Sequence, residues 1–200
     1  MNKISLVIFD LSDVLIKGLE GVEHALSDEL NIHVDDISKN LYAYNYHDFW
    51  TGKVTEESCL TQVILLNNWP IKVETFKSLI RKNFYEIKGT REIIKKVSRK
   101  YKTVLLSVNP KSWAEYMFNK FELYDLFPDG VYFSYHIGFT KRQKESFEYV
   151  LKEQKVEPKD VLLIDDSKRN LSMAETIGIS GIRFINALQL EEELQRRKLI

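Results

Sequence analysis

The sequence Leu6-Val7-Ile8-Phe9-Asp10 decides the fold prediction, because a short apolar run ends there in a carboxylate. Short runs of β-branched and aromatic residues are typical of strands that are buried on both faces. A later run, Leu162-Leu163-Ile164-Asp165-Asp166, ends in two carboxylates, and Leu105-Leu106-Ser107 ends in a hydroxyl. Ligands of an open parallel sheet bind where the carboxyl ends of the strands emerge. The polar residues that end these runs are therefore predicted to converge at one rim of a sheet.

Strand-like runs alternate with helical patterns through most of the chain. The predicted strands cover 4–9, 103–106, 131–133, 161–164 and 182–185. Apolar residues fall on one helical face in 91–100 and in 143–154, and a third such stripe ends at Gly178. This alternation is typical of βαβ units and predicts an α/β fold with a parallel sheet.

The region 17–86 has a different character, because amphipathic patterns occur there without a convincing strand. Helices are predicted at Val22–Leu30, Ile37–Trp50, Thr55–Leu66 and Val73–Phe84. Asp35 and Thr55 are predicted as helix caps. We therefore expect a core domain formed by 1–16 and 87–200, and a small all-helical insert at 17–86.

Composition narrows the class of function. The 200 residues are 44% hydrophobic, which is enough for a sizeable core, and 29 basic residues balance 29 acidic ones. A balanced charge gives no long-range attraction to nucleic acid or anionic lipid, so neither is expected as a partner. The single cysteine, Cys59, cannot form an internal disulfide, and no apolar run is long enough to span a membrane. We expect a cytoplasmic protein, either a monomer or a homodimer.

The residues at the predicted rim suit phosphate chemistry that depends on a metal ion. Asp10 has the placement of a nucleophile, and an aspartate can attack phosphorus when a cation offsets the repulsion between the two anions. Asp165 and Asp166 are oxygen ligands of the kind that Mg²⁺ takes. Lys141 would bind phosphate as a point charge, and Ser107 would donate a hydrogen bond to it.

These motifs together resemble the haloacid dehalogenase superfamily over nearly the whole chain. They comprise Phe9-Asp10-Leu11-Ser12-Asp13, Leu106-Ser107, Gly138-Phe139-Thr140-Lys141 with Phe147, and Ile164-Asp165-Asp166-Ser167 with Asn170, Ala174 and Gly178. The resemblance implies a Rossmann-like, doubly wound core, a helical cap domain in the insert, and magnesium-dependent hydrolysis of a small phosphorylated metabolite.

The resemblance also implies a role for each matched residue. Asp10 would be the nucleophile, with Ser107 and Lys141 as catalytic groups that bind the phosphate. The metal ligands would be Asp10, the backbone carbonyl of Ser12, Asp165 and Asp166. Relatives often carry asparagine directly after the serine; here Asn109 stands one position further on and is assigned to substrate binding.

One position departs from the family pattern. Family phosphatases usually place a second aspartate two residues after the nucleophile, as a general acid and base, and this chain has Ser12 there. Such catalysis typically contributes ~10²–10⁴-fold, so its loss should favour substrates with good leaving groups. Two alternatives stay open: hydrolysis of a carbon–halogen bond, as in haloacid dehalogenases, and a regulatory protein that binds phosphate and Mg²⁺ with weakened turnover.

The insert contains a group of aromatic residues for which two interpretations compete. Tyr42, Tyr44, Tyr46, Phe49 and Trp50 would either fill the core of a small domain or line a substrate pocket. Aromatic residues near helical spacing more often fill cores, so we predict a core role. For Trp113, packing against the sheet is predicted.

Overall fold

A computed structural model describes residues 4–200, and these form alternating strands and helices. Residues 1–3 of the predicted core segment lie outside the described part. The strands are β1 (Leu6–Phe9), β2 (Lys102–Ser107), β3 (Val131–Phe133), β4 (Val161–Asp165) and β5 (Ser180–Arg183). The helices are α1 (Val22–Leu30), α2 (Val34–Ala43), α3 (His47–Trp50), α4 (Glu56–Asn67), α5 (Val73–Asn83), α6 (Thr90–Ser98), α7 (Lys111–Lys120), α8 (Ser134–Ile137), α9 (Lys144–Gln154), α10 (Lys168–Thr176) and α11 (Ala187–Arg196).

The five strands form one parallel sheet in the order β3-β2-β1-β4-β5. The central strand β1 aligns Phe9 with Leu105 of β2 and with Ile164 of β4. All three strands therefore end at the same edge of the sheet. This arrangement confirms the predicted α/β, Rossmann-like doubly wound fold.

Alternate residues of β1 serve two apolar cores, one on each face of the sheet. Val7 and Phe9 belong to the larger core, which also contains residues of α6, α7 and α11 and of the insert helices. Leu6 and Ile8 belong to the smaller core, which contains residues of α9 and α10. Burying each large apolar side chain contributes about 1.5–3 kcal/mol, so the two cores hold β1 firmly in the middle of the sheet.

Helices α1 to α5 occupy the region between β1 and α6, as the patterns predicted, but one prediction there was wrong. The predicted helix Ile37–Trp50 is two helices, α2 and α3, separated by an extended residue at Tyr44. The side chain of Asn45 accepts a hydrogen bond from the backbone N–H of His47 at 3.1 Å. Asparagine favours such local turns over a continuous helix, which explains the break.

The two predicted helix caps had different outcomes. Thr55 caps α4, because its hydroxyl accepts a hydrogen bond from the backbone N–H of Ser58 at 3.2 Å. Asp35 does not cap α2. His33 precedes the helix and its ring nitrogen accepts from the N–H of Asp35, so Asp35 lies inside the first turn.

None of the helices within residues 4–200 combines the length and the apolar character required to cross a membrane.

Candidate active site

Four of the predicted site residues lie together at the carboxyl edge of the sheet. Asp10 follows β1, Ser107 ends β2, Asp165 ends β4, and Lys141 lies in the segment between α8 and α9. The Lys141 Nζ atom is 2.5 Å from Asp10 Oδ2 and 2.6 Å from Asp165 Oδ2. All four side chains are buried. The parallel register places these residues side by side although up to 155 positions separate them in the sequence.

The Asp10 carboxylate is held by three donors. Its Oδ1 atom accepts from the backbone N–H of Leu11 at 2.7 Å and from the Ser107 hydroxyl at 3.0 Å. Lys141 pairs with the other oxygen, Oδ2. Burial raises the pKa of Asp10 from 3.8 to about 7, and Lys141 opposes this shift in part. A fixed carboxylate at a strand end can serve as a nucleophile once a second cation compensates its charge.

Asp165 is also fixed on several sides. Besides Lys141, its carboxylate accepts from the backbone N–H of Ser167 at 2.9 Å and from the Asn170 side chain at 3.0 Å. Ser167 caps α10, and that cap sets the direction in which the helix leaves the rim. The role of Asn170 as a support for Asp165 was missed. Its place three residues after a cap serine, on the first turn of a helix, is the signal that indicates it.

Three carboxylates at the rim form a group that suits a metal ion. Oxygen atoms of Asp10, Asp165 and Asp166 all lie within 4.8 Å of one another. Burial and the neighbouring Asp165 raise the pKa of Asp166 from 3.8 to about 6. A set of oxygen donors alone fits a hard divalent cation, and such a cation would relieve the repulsion among the three charges. The contribution of the Ser12 carbonyl stays a prediction.

Lys141 supplies the positive charge that the cluster contains. Burial would lower its pKa, but Asp10 and Asp165 outweigh that effect and raise it, so the ammonium stays charged. A buried charge is stable only with such partners.

Asn109 connects two hydroxyl groups of the rim. Its side-chain nitrogen donates to Ser107 Oγ at 2.8 Å and to Ser12 Oγ at 3.0 Å. Its backbone N–H donates to the Ser134 hydroxyl at 3.1 Å, and that hydroxyl donates to the carbonyl of Trp50 at 2.6 Å. Asn109 therefore joins the rim to the end of α3.

Asp13 takes no part in the acidic cluster. Its backbone is left-handed, with φ at 58°, and its Oδ1 atom pairs with Lys17 at 2.7 Å. The same atom accepts from the backbone N–H of Gly18 at 3.3 Å. Asp13 thus shapes the chain between β1 and α1 and does not replace the carboxylate that is missing at position 12.

A cleft of about 470 Å³ opens beside Ser12 and Asn109, and the insert forms one of its walls. The prediction of a core role is right for Phe49 and incomplete for the other aromatic residues. Tyr42, Tyr44, Tyr46 and Trp50 line the cleft. Trp113 is buried in the larger core together with Phe9 of the sheet, and its ring also packs against Phe49 and Trp50 of the insert and lines the cleft.

Comparison with known proteins identifies the family. Residues 4–178 match the hydrolase family described as haloacid dehalogenase-like hydrolase. The chain belongs to that family. The match covers β1 to α10 and therefore includes every residue of the rim described above.

Individual relatives share only 20–30% sequence identity with this chain. D-ribitol-5-phosphate phosphatase of Bacteroides thetaiotaomicron is 30% identical over 66 residues, which are 33% of this chain and 32% of that protein. The match thus spans about a third of the curated relative. Among solved structures, a predicted HAD-like hydrolase of Porphyromonas gingivalis aligns with a TM-score of 0.78 at 21% identity, covering 98% of each chain. A HAD family enzyme of Bacteroides thetaiotaomicron in complex with magnesium and inorganic phosphate aligns with a TM-score of 0.73 at 20% identity, covering 90% of this chain and 93% of that one. At these identities the structures show a shared fold.

Proposed function

We propose that this hydrolase is a magnesium-dependent phosphatase that transfers the phosphoryl group of a small metabolite to Asp10 and then to water. The observation that carries the proposal is the buried cluster in which Asp10 meets Ser107, Lys141 and two further carboxylates at one rim. A nucleophile, two phosphate-binding groups and an oxygen-rich cation site are the parts that such a reaction requires.

Each residue of the cluster has a distinct task in the proposed reaction. An Asp10 oxygen attacks phosphorus while the bond from phosphorus to the ester oxygen breaks, which leaves an aspartyl phosphate and an oxyanion that takes a proton from water to give the alcohol. In the structure Ser107 and Lys141 contact Asp10. When substrate is bound, they would instead contact the phosphate oxygens and offset their charge. Water then attacks phosphorus, the bond to Asp10 breaks, and inorganic phosphate is released.

Asp10, Asp165 and Asp166 would hold Mg²⁺ in this proposal, together with the Ser12 carbonyl. The ion supplies positive charge that lets an anionic nucleophile approach an anionic substrate. The relative crystallised with magnesium and inorganic phosphate supports this choice of cation.

The insert at 17–86 is proposed to act as a cap domain that closes over the cleft and excludes water. Asn45 and His47 of the insert line the cleft, and their side chains carry hydrogen-bonding groups that suit a hydroxylated metabolite. The curated relative acts on D-ribitol 5-phosphate, which makes polyol and sugar phosphates the first substrates to screen.

The test uses purified protein with Mg²⁺ and para-nitrophenyl phosphate or acetyl phosphate as activated substrates. Asp10→Asn should lower kcat at least about a thousandfold, because no nucleophile remains. Asp13→Asn is the matched control, since it neutralises a nearby carboxylate that pairs with Lys17, and asparagine tolerates the left-handed backbone there. Undiminished turnover in Asp10→Asn would refute the assignment of the nucleophile.

The dehalogenase alternative stays in the test because Ser12 stands where family phosphatases usually carry the general acid and base. Attack on carbon needs cationic groups to receive the halide, and Arg81 of the insert is instead paired with Glu56 at 2.7 Å. Release of halide from a haloacid, without hydrolysis of any phosphate ester, would favour that alternative. Phosphate binding without either activity would favour a regulatory role.

A further inference from the structure

The hydrogen bonds around Ser12 assign a direction to its hydroxyl proton. Ser12 Oγ accepts a hydrogen bond from the Asn109 side chain at 3.0 Å. Within residues 4–200, no protein oxygen accepts a hydrogen bond from the Ser12 hydroxyl in return. Since a serine hydroxyl carries one donor and two acceptor positions, its proton is available to a group in the cleft, which Ser12 lines.

The Asn109 side chain has no free N–H for a substrate. Its amide group carries two N–H donors, and these serve Ser107 and Ser12, at 2.8 and 3.0 Å. Contact between this nitrogen and a phosphate would break one of these bonds. Asn109 is also 2% exposed. These contacts favour an orienting role over the substrate-binding role that the sequence suggested.

The chain at Gly18 lies close to the Ser12 side chain. A Cβ atom on Gly18 would lie 3.1 Å from Ser12 Cβ and 3.5 Å from Ser12 Oγ. The Asn83 side chain fixes this position, since it donates to the Gly18 carbonyl at 2.6 Å. Gly18 therefore lies close to the Ser12 side chain, and Asn109 donates to the Ser12 hydroxyl oxygen.

We propose that Asn109 orients the Ser12 hydroxyl as a hydrogen-bond donor to the oxygen that leaves phosphorus, which makes Asn109 a positioning residue and Ser12 a determinant of leaving-group specificity. This inference rests on the proposed phosphatase function. As the bond from phosphorus to the ester oxygen breaks, its electron pair stays on the departing oxygen. That oxygen accepts a hydrogen bond from Ser12, which keeps its proton, and water in the cleft protonates the departing oxyanion, which gives the alcohol and hydroxide.

The test compares two aryl esters that differ in the basicity of the leaving oxygen, para-nitrophenyl phosphate and the more basic phenyl phosphate. A neutral hydrogen bond corresponds to at most about a tenfold change in rate. Ser12→Ala should therefore lower kcat/KM for phenyl phosphate roughly tenfold and that for para-nitrophenyl phosphate by a smaller factor. Ser12→Thr, which keeps a hydroxyl, should retain the wild-type ratio of the two values.

Asn109→Ala and the double variant separate positioning from substrate binding. Asn109→Ala should lower both activities through Ser107 and also shift the ratio in the same direction as Ser12→Ala. In the Ser12→Ala background, Asn109→Ala should leave the ratio of the two kcat/KM values unchanged, because the effects of two residues that act through each other do not add. Calorimetric titration with inorganic phosphate and Mg²⁺ should give Ser12→Ala the wild-type affinity, since its hydroxyl faces the departing oxygen.

Three results would overturn the inference: an unchanged ratio in Ser12→Ala, an effect of Asn109→Ala on the ratio that persists without Ser12, or weaker phosphate binding in Ser12→Ala. The first two results require wild-type protein that hydrolyses the aryl esters, and the third measures binding alone, so none of the three refutes the proposed function. Wild-type protein that hydrolyses no phosphate ester would refute the proposed function and this inference with it.

Discussion

Replacing Glu56 with glutamine should destabilise the folded protein, because this carboxylate joins three helices. Glu56 begins α4, and its Oε2 atom accepts from Arg81 of α5 at 2.7 Å. Its Oε1 atom accepts from the indole N–H of Trp113 on α7 at 2.6 Å. Trp113 also lines the cleft, so Glu56 ties the insert to the wall of the candidate active site.

The size of the effect follows from the burial of both partners. The side chains of Glu56 and Arg81 are 8% and 19% exposed, so solvent screens the pair little. Arg81 Nη1 is buried and has no hydrogen-bond partner among the described residues, which leaves Glu56 as the main compensation for its charge. A hydrogen bond to a charged group contributes about 1.5–3 kcal/mol. At roughly 2–4 °C per kcal/mol for a chain of this size, Glu56→Gln should lower Tm by about 3–12 °C.

Glu57→Gln is the matched control for this measurement. Glu57 lies in the same first turn of α4, so both variants lose the same favourable interaction with the helix N-terminus. Its carboxylate pairs with Lys77, but its side chain is 67% exposed, and exposed pairs contribute about 0–1 kcal/mol. Thermal and urea unfolding of the two variants should therefore differ clearly. Equal losses would refute the reasoning, as would a Glu56→Gln effect that does not shrink in an Arg81→Met background.

Two further predictions concern the acidic cluster. Lys141→Met should lower the free energy of unfolding without metal by about 3–5 kcal/mol, as expected when a buried charge pair loses one partner, and Mg²⁺ should restore part of the loss. The control Lys144→Met, which breaks an exposed pair with Glu148, should change stability by less than about 1 kcal/mol, and urea unfolding would test both. The second prediction concerns pH. Burial raises the pKa of Asp10 from 3.8 to about 7. Between these two pH values the folded protein therefore retains a proton that the unfolded chain releases. Metal-free stability should therefore fall as pH rises through this window, while the increase in Tm caused by Mg²⁺, which displaces the proton, should grow. An Mg²⁺ effect on Tm that is the same well below and above pH 7 would contradict this assignment.

The sheet and its acidic rim could be predicted because local sequence patterns carry them. A short apolar run that ends in a polar residue identifies a buried strand and its carboxyl end, and parallel pairing then brings Asp10, Ser107 and Asp165 together. The predicted third strand has the observed bounds. The predicted ends of the other four strands either match the observed ends or differ from them by one or two residues. Most of the site residues stand directly at a strand end, so predicting the strands also predicted where these residues lie.

Helix α7 is an element that the sequence patterns indicate but that was not predicted. No helix was predicted at Lys111–Lys120, although Trp113, Ala114, Met117 and Phe118 repeat with the spacing of a buried helical face. Pro110, directly before the helix, has the extended backbone of a residue that precedes a helix start. Both signals were present in the sequence.

The contacts that join the insert to the rim could not be predicted, because they link positions that no periodicity relates. Ser134 and Trp50 are 84 positions apart, and Trp113 and Glu56 are 57 apart. Through Ser134, the carbonyl of Trp50 is connected to the backbone of Asn109, whose side chain orients Ser12. A movement of α3 away from the core would break the first of these bonds. The hydrogen bonds from Trp50 through Ser134 and Asn109 to Ser12 therefore connect the insert to the position at which family phosphatases carry the second aspartate.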